Sequence, residues 1–167
     1  MLPLAVAACG SVDLATMAGL RGISPLDADP AAILVRAELP DGIALLPEGT
    51  FLELGAERPG GAVAEGRFAL VPDPAVPDGW RIDPGEVAEL RALQAEIRGM
   101  KAAAPGATVG TLAVRTAPCG AAVAPDDTLS VWLRLMPDAP LRPMLRDVPV
   151  ADVLEEIGLS ALPPCPA

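Results

Sequence analysis

Histidine is absent from this chain of 167 residues, so chemistry falls to carboxylates, hydroxyls, three cysteines and the arginines. Acidic pairs stand at Asp27/Asp29, Asp126/Asp127 and Glu155/Glu156. Two carboxylates share acid–base work when separate elements hold them across a gap. Neighbours in one loop do not meet that need. The stretches "DAD" (27–29) and "PDD" (125–127) lack the further oxygen ligands and in-register glycine of a calcium loop. Serine and threonine have no imidazole to take their proton, and neither G-x-S-x-G nor S-x-x-K occurs. Phosphate-loop and dinucleotide fingerprints are missing too, as is metal-ligand spacing. No cofactor and no metal are expected. A hydrolase working through Asp and Glu alone is the catalytic reading that remains.

The arginines offer binding chemistry instead. "RLMPDAPLRPMLRDVP" (134–149) gathers Arg134, Arg142 and Arg146 in a protein of net charge −10. A guanidinium grips a carboxylate through two parallel hydrogen bonds, so this stretch reads as a site for an acidic partner. Local pairing with Asp138, Asp147 or Asp152 is the alternative. Trp80, after "PDG", reads either as an exposed anchor for a partner or as a core-closing residue at a strand entry. Trp132 falls on the same strand face as Arg134 and is expected to pack under a helix, a binding face being the alternative. With Lys101 as the only lysine, neither nucleic acid nor an anionic membrane surface is an expected partner. Aromatic residues at 2% leave no stacking platform for bases or sugars.

The third kind of chemistry is a modification. "VAAC", Val6–Cys9, followed by Gly10, resembles the lipobox of bacterial lipoproteins, with small residues before the cysteine as signal cleavage requires. The resemblance covers about ten residues and implies cleavage before Cys9, a diacylglyceryl group on its thiol and an acylated amine. It also implies a periplasm-facing envelope protein attached to the membrane by lipid. Residues 1–8 are then the remnant of a signal peptide. Gly10 is not the aspartate of inner-membrane retention in that family, which favours the outer membrane. The alternative is an ordinary buried cysteine in an N-terminal strand or helix. If Cys9 is acylated, Cys119 and Cys165 remain as a pair, and an oxidising compartment lets them bridge. Such a bridge contributes about 4 kcal/mol by loop closure. Two free cysteines in a cytosolic protein are the other reading.

The elements that must position these residues follow from hydrophobic period. Residues 9–31 read as lipid anchor and linker, with a short helix over 12–19. Strands are expected in "AILVRAELP" (32–40), "PEGTFLELG" (47–55), around Arg67–Val71, in "TVGTLAVRT" (108–116) and in "DTLSVWLRLMP" (127–137). "PDG" and "RPGG" supply turns, so the first three strands are expected as a meander. A helix is expected over 83–103, with Val87, Leu90, Leu93, Ile97 and Met100 as its apolar stripe. Asp83 and Glu86 should form a reciprocal capping box, with Pro84 at the first helical position. "DVPVADVLEEIG" (147–158) reads as a short helix stopped by Gly158.

The expectation is therefore one α+β domain over 32–158: a mostly antiparallel sheet or small sandwich of about five strands, one packed helix and a short last helix. Residues 159–167 form a tail tied by the Cys119–Cys165 bridge. For function, the lipobox resemblance and the missing catalytic constellations imply a non-catalytic binding or assembly accessory. It would face an envelope protein partner, with Arg134, Arg142, Arg146 and Trp80 as candidate contacts. A chaperone or inhibitor of an exported partner is the alternative, then a cytosolic domain or an Asp/Glu hydrolase.

Overall fold

The computed structural model describes residues 24–166. Cys9 and the helix expected over 12–19 lie outside them. In chain order the elements are β1 (Leu34–Glu38), β2 (Ile43–Leu45), β3 (Phe51–Arg58), β4 (Ala62–Pro72), β5 (Gly79–Ile82), α1 (Val87–Ala103), β6 (Val109–Arg115), β7 (Pro118–Gly120), β8 (Thr128–Arg134), β9 (Arg142–Pro149) and α2 (Val150–Glu156). The fold is α+β. Seven strands form one curled sheet in the order β6-β3-β4-β5-β1-β8-β9, every neighbouring pair antiparallel, and β2 and β7 make a separate two-stranded ribbon.

The period-2 alternation explains the two faces. Leu52, Leu54 and Ala56 of β3 stand opposite Phe68, Gly66 and Ala64 of β4, and opposite Val114, Leu112 and Gly110 of β6. Paired residues share a face, so this row lays a continuous apolar surface. It continues through Leu70, Ile82, Trp80, Val35 and Leu133. The turn between β3 and β4 holds Gly60 and Gly61 at φ +101° and +90°, values side chains avoid.

Helix α1 covers the apolar face, burying Leu90, Leu93, Gln94 and Ile97, with Val87 and Met100 partly buried against the same core. Gly66 marks where helix and sheet come closest: a Cβ there would stand 2.9 Å from both Leu93 Cδ2 and Phe68 Cζ. The helix starts at Val87, not at 83, and the expected capping box does not form. Its reciprocal bond needs a free Asp83 N–H, and that group donates to Ala69 O (2.9 Å). Glu86 Oε2 accepts from Ala69 N–H instead (2.5 Å), while Asp83 Oδ1 takes Gly85 N–H (2.8 Å). The helix entry is thus stitched to β4.

Three further expectations are corrected. The first predicted strands do not form a meander, because β1 lies between β5 and β8 and is not beside β3. Strands β2, β5, β7 and β9 went unread: the first three are only three or four residues long, and β9, whose end takes 147–149 from the expected helix, carries two prolines and a bulge that break its alternation. The end of the expected linker belongs to the domain. Leu26, Ala28 and Pro30 are buried. Gln94 Nε2 donates to Pro25 O and Ala28 O, and Arg98 Nη1 donates to Leu26 O, binding this segment to α1.

Cys119 and Cys165 are joined by a disulfide, with Cys119 fully buried. Gly120 N–H donates to Pro163 O, so the tail lies along the ribbon as well as being cross-linked to it. Helix α2 is stopped near Gly158 (φ +77°) as expected. Among the described residues, no helix is long and apolar enough to cross a membrane.

Candidate functional site

The sheet face opposite α1 bears the alternate residues of each strand, and there the arginines gather. Arg67 and Glu53 are register partners on β4 and β3, and Arg115 of β6 stands opposite Phe51 of β3. On the other side of the face, Leu34 of β1 is the register partner of both Arg81 on β5 and Arg134 on β8. Arg36 of β1 stands opposite Trp132 of β8. Among the described residues no helix packs over this row: α1 lies on the apolar face, and α2 meets the sheet chiefly at β9.

At the β6-β3-β4 end the charges are matched. Glu53 accepts from Arg67 Nη2 (3.1 Å) and from Arg115 Nε (2.9 Å). The Arg115 hydrogen bond, opposed by burial and reinforced by Arg67, holds the Glu53 carboxyl below the ordinary glutamate value. Arg67 also lies over the Phe51 ring, its Cζ 4.0 Å from the centroid.

At the β5-β1-β8 end they are not. Arg36 is satisfied, with Nη2 2.6 Å from Glu38 Oε1 and Cζ 5.5 Å from the Trp132 centroid. Arg81 and Arg134 form no ion pair with any described residue, and the Nε of each is buried without a hydrogen-bond partner. Between them Leu34 is 1% exposed, although it lies on the face away from the helix. Long arginine stems cover apolar surface well, and Arg81 and Arg134 are the flanking side chains. Two guanidinium groups are thus held by packing and left without counter-charge from any described residue.

The predicted partner residues separate accordingly. Arg134 belongs to this open face. Arg142 and Arg146 lie exposed on edge strand β9, forming none of the local ion pairs weighed for them. For Trp80 the core-closing reading holds and the exposed anchor is corrected: it is 9% exposed and part of the core, because its place opposite Val35 turns it toward the helix side. Trp132 is corrected the other way, lying on the open face and not under the helix. Arg81 was missed because β5, only four residues long, was missed.

The acidic pairs serve turns and surfaces. Asp29 Oδ1 caps Ala31 N–H and meets Arg91 at 3.4 Å, and Asp127 Oδ2 accepts from Ala124 N–H (2.8 Å). Asp27, Asp126, Glu155 and Glu156 are exposed. Among the described residues no three His, Cys, Asp or Glu side chains are grouped to hold a metal ion. A cavity of about 780 Å³ between the 37–45 and 72–80 segments is edged by Glu38, Asp41, Asp73 and Asp78, and Asp73 already accepts from Ala75 and Val76 N–H. An apolar hollow of about 1110 Å³ lies between α2, the 120–125 loop and the tail, with Val123, Leu154, Leu159 and Leu162 on its walls. In comparisons with known proteins, no family model, no curated protein and no solved structure matches this chain.

Proposed function

We propose that this chain is a lipid-anchored protein of the bacterial envelope, held through Cys9. Its folded part is a non-catalytic binding domain that offers the open sheet face to a protein partner. One observation carries the binding reading: in a chain of net charge −10, two arginines on a sheet face that no described helix covers make no ion pair with a described residue, and the Nε of each has no hydrogen-bond partner. Leaving a buried donor unpaired costs about 1–3 kcal/mol; both side chains are partly exposed, so a carboxylate is received at the outer part of each guanidinium and not at the buried Nε. The Cys119–Cys165 disulfide supports the exported address, since such bonds persist in oxidising compartments. The lipobox resemblance supports the lipid, and two or more acyl chains give stable attachment. Gly10 favours the outer membrane.

Intact-mass spectrometry of the membrane fraction from a bacterial host tests the address, with Cys9→Ala alongside. The expected result is a mature species that begins at Cys9, carries acyl mass and is lost in the variant. An unmodified soluble chain retaining residues 1–8 would refute it.

The chaperone or inhibitor alternative rests on the sheet's edges. β9 is guarded by Pro143, Pro149, two arginines and a bulge. β6 has no proline, and its one charge is Arg115 at the end. An unguarded edge is where an extended segment of an exported partner adds as another strand.

A further inference from the structure

The geometry points to Arg81 and Arg134 as a two-armed clamp for an extended acidic peptide segment, the two guanidinium groups each receiving one carboxylate on either side of Leu34. This rests on the reading of the domain as a binding module and names the chemistry of its partner.

Three features of the face select that ligand. The first is spacing. Arg81 and Arg134 are both paired to Leu34 across one strand step, and strands lie 4.7–4.9 Å apart, so the two Cα atoms stand about 10 Å apart. Carboxylates two residues apart on an extended chain lie on one side of it, about 7 Å from each other, within reach of two long side chains. A single small anion would have to draw both arms together over Leu34.

The second feature is preorganisation. With each Nε buried, the arms are positioned by packing before any ligand arrives, which lowers the ordering cost of binding. The third is the surround. Trp132 and the satisfied Arg36 lie one step along the same face, supplying the aromatic and arginine composition typical of the energetic centres of protein interfaces. The rest of the chain is acidic, so its long-range field repels an acidic ligand, and only local, matched contacts hold it.

The test is fluorescence anisotropy of a labelled octaglutamate peptide with the full-length oxidised chain, and inorganic phosphate as competitor. Two double variants carry the same charge change on the same face: Arg81→Gln/Arg134→Gln and Arg67→Gln/Arg115→Gln. Circular dichroism confirms that both are folded. The expected result is binding by the parent, weakened more than about tenfold in the first double variant and less than about threefold in the second, with phosphate a poor competitor. Equal weakening in both would reduce the effect to general charge and overturn the clamp, as would absence of binding by the parent. Competition by phosphate at concentrations matching the peptide's carboxylates would assign the site to a free anion and overturn the peptide. Acylation of Cys9 is read by mass alone, so the clamp and the membrane address fail separately.

Discussion

At one end of this sheet face Arg67 and Arg115 close on Glu53; at the other, Arg81 and Arg134 flank a buried leucine and meet no described carboxylate. Residue type, sheet and face are the same. What differs is the residue placed between the arms. A glutamate makes the arginines a structural network whose charge is spent within the fold, of the kind that contributes little net stability at a surface. A leucine lets the stems pack while leaving the guanidinium groups with unused hydrogen-bonding capacity. The comparison teaches that arginine content does not identify a binding face; the inventory of partners does.

The largest expected effect comes from the two residues beneath the arms. Leu34→Ala should destabilise by about 2–5 kcal/mol, since it removes a fully enclosed side chain. Phe51→Ala at the matched end, where the ring is half-buried under Arg67, should cost about 1–2 kcal/mol. Urea denaturation of both variants checks the order. A Leu34→Ala cost no greater than that of Phe51→Ala would remove the idea that the leucine is the packed floor of the clamp.

Next in size, and opposite in sign, is the response to removing the arms. Arg81→Met and Arg134→Met each keep the stem and delete an unpartnered donor, so each should be neutral or stabilising by up to about 1–3 kcal/mol. In a chain of this length that raises Tm by about 2–4 °C per kcal/mol. Arg115→Met, which strips Glu53 of its main partner, should lower Tm slightly. Calorimetry showing the same sign at both ends would break the distinction between them.

The smallest effect is the pH dependence of the matched end. The Glu53 carboxyl is held below its ordinary value of 4.5, first by Arg115. The folded state therefore binds that proton less readily than the unfolded chain does. The contribution to stability is complete above the ordinary value and is lost as pH falls through the folded one. Glu53→Gln should cost under about 1 kcal/mol at neutral pH and flatten the stability curve on its acid side. A curve parallel to the parent's through that window would mean the network does not couple to folding. Arg81→Met and Arg134→Met should leave this slope in place.

Much of the architecture was legible because it depends on local period. Alternation in "TFLELG" and "DTLSVWLRL" and the 3.6-residue stripe from Val87 to Met100 mark β3, β8 and α1 in any context, and Pro105 with Gly106 ends the helical pattern. The α+β class and the Cys119–Cys165 pairing followed from such features and from cysteine counting. Order in the sheet was not legible. β5 is four residues long, too short to show a period, and it is the strand that separates β4 from β1. Missing it turned three strands into a meander and hid Arg81. The capping box failed for a related reason: Asp83 N–H was already taken by Ala69 O, a bond between elements that no local pattern announces.

By itself, then, the sequence determined the longer strands β1, β3, β4, β6 and β8 and the helix α1, which side of each is apolar, that the chain is acidic and poor in catalytic constellations, and that Cys9 sits in a lipobox-like run. Those properties are encoded in neighbours along the chain. Only the tertiary structure decided which strands adjoin, and so that Arg81 and Arg134, 53 positions apart in sequence, share one leucine while Trp80 goes inside and Trp132 outside. Pairing between distant strands is set by how the apolar faces close over a common core, a property of the whole chain and not of any window within it.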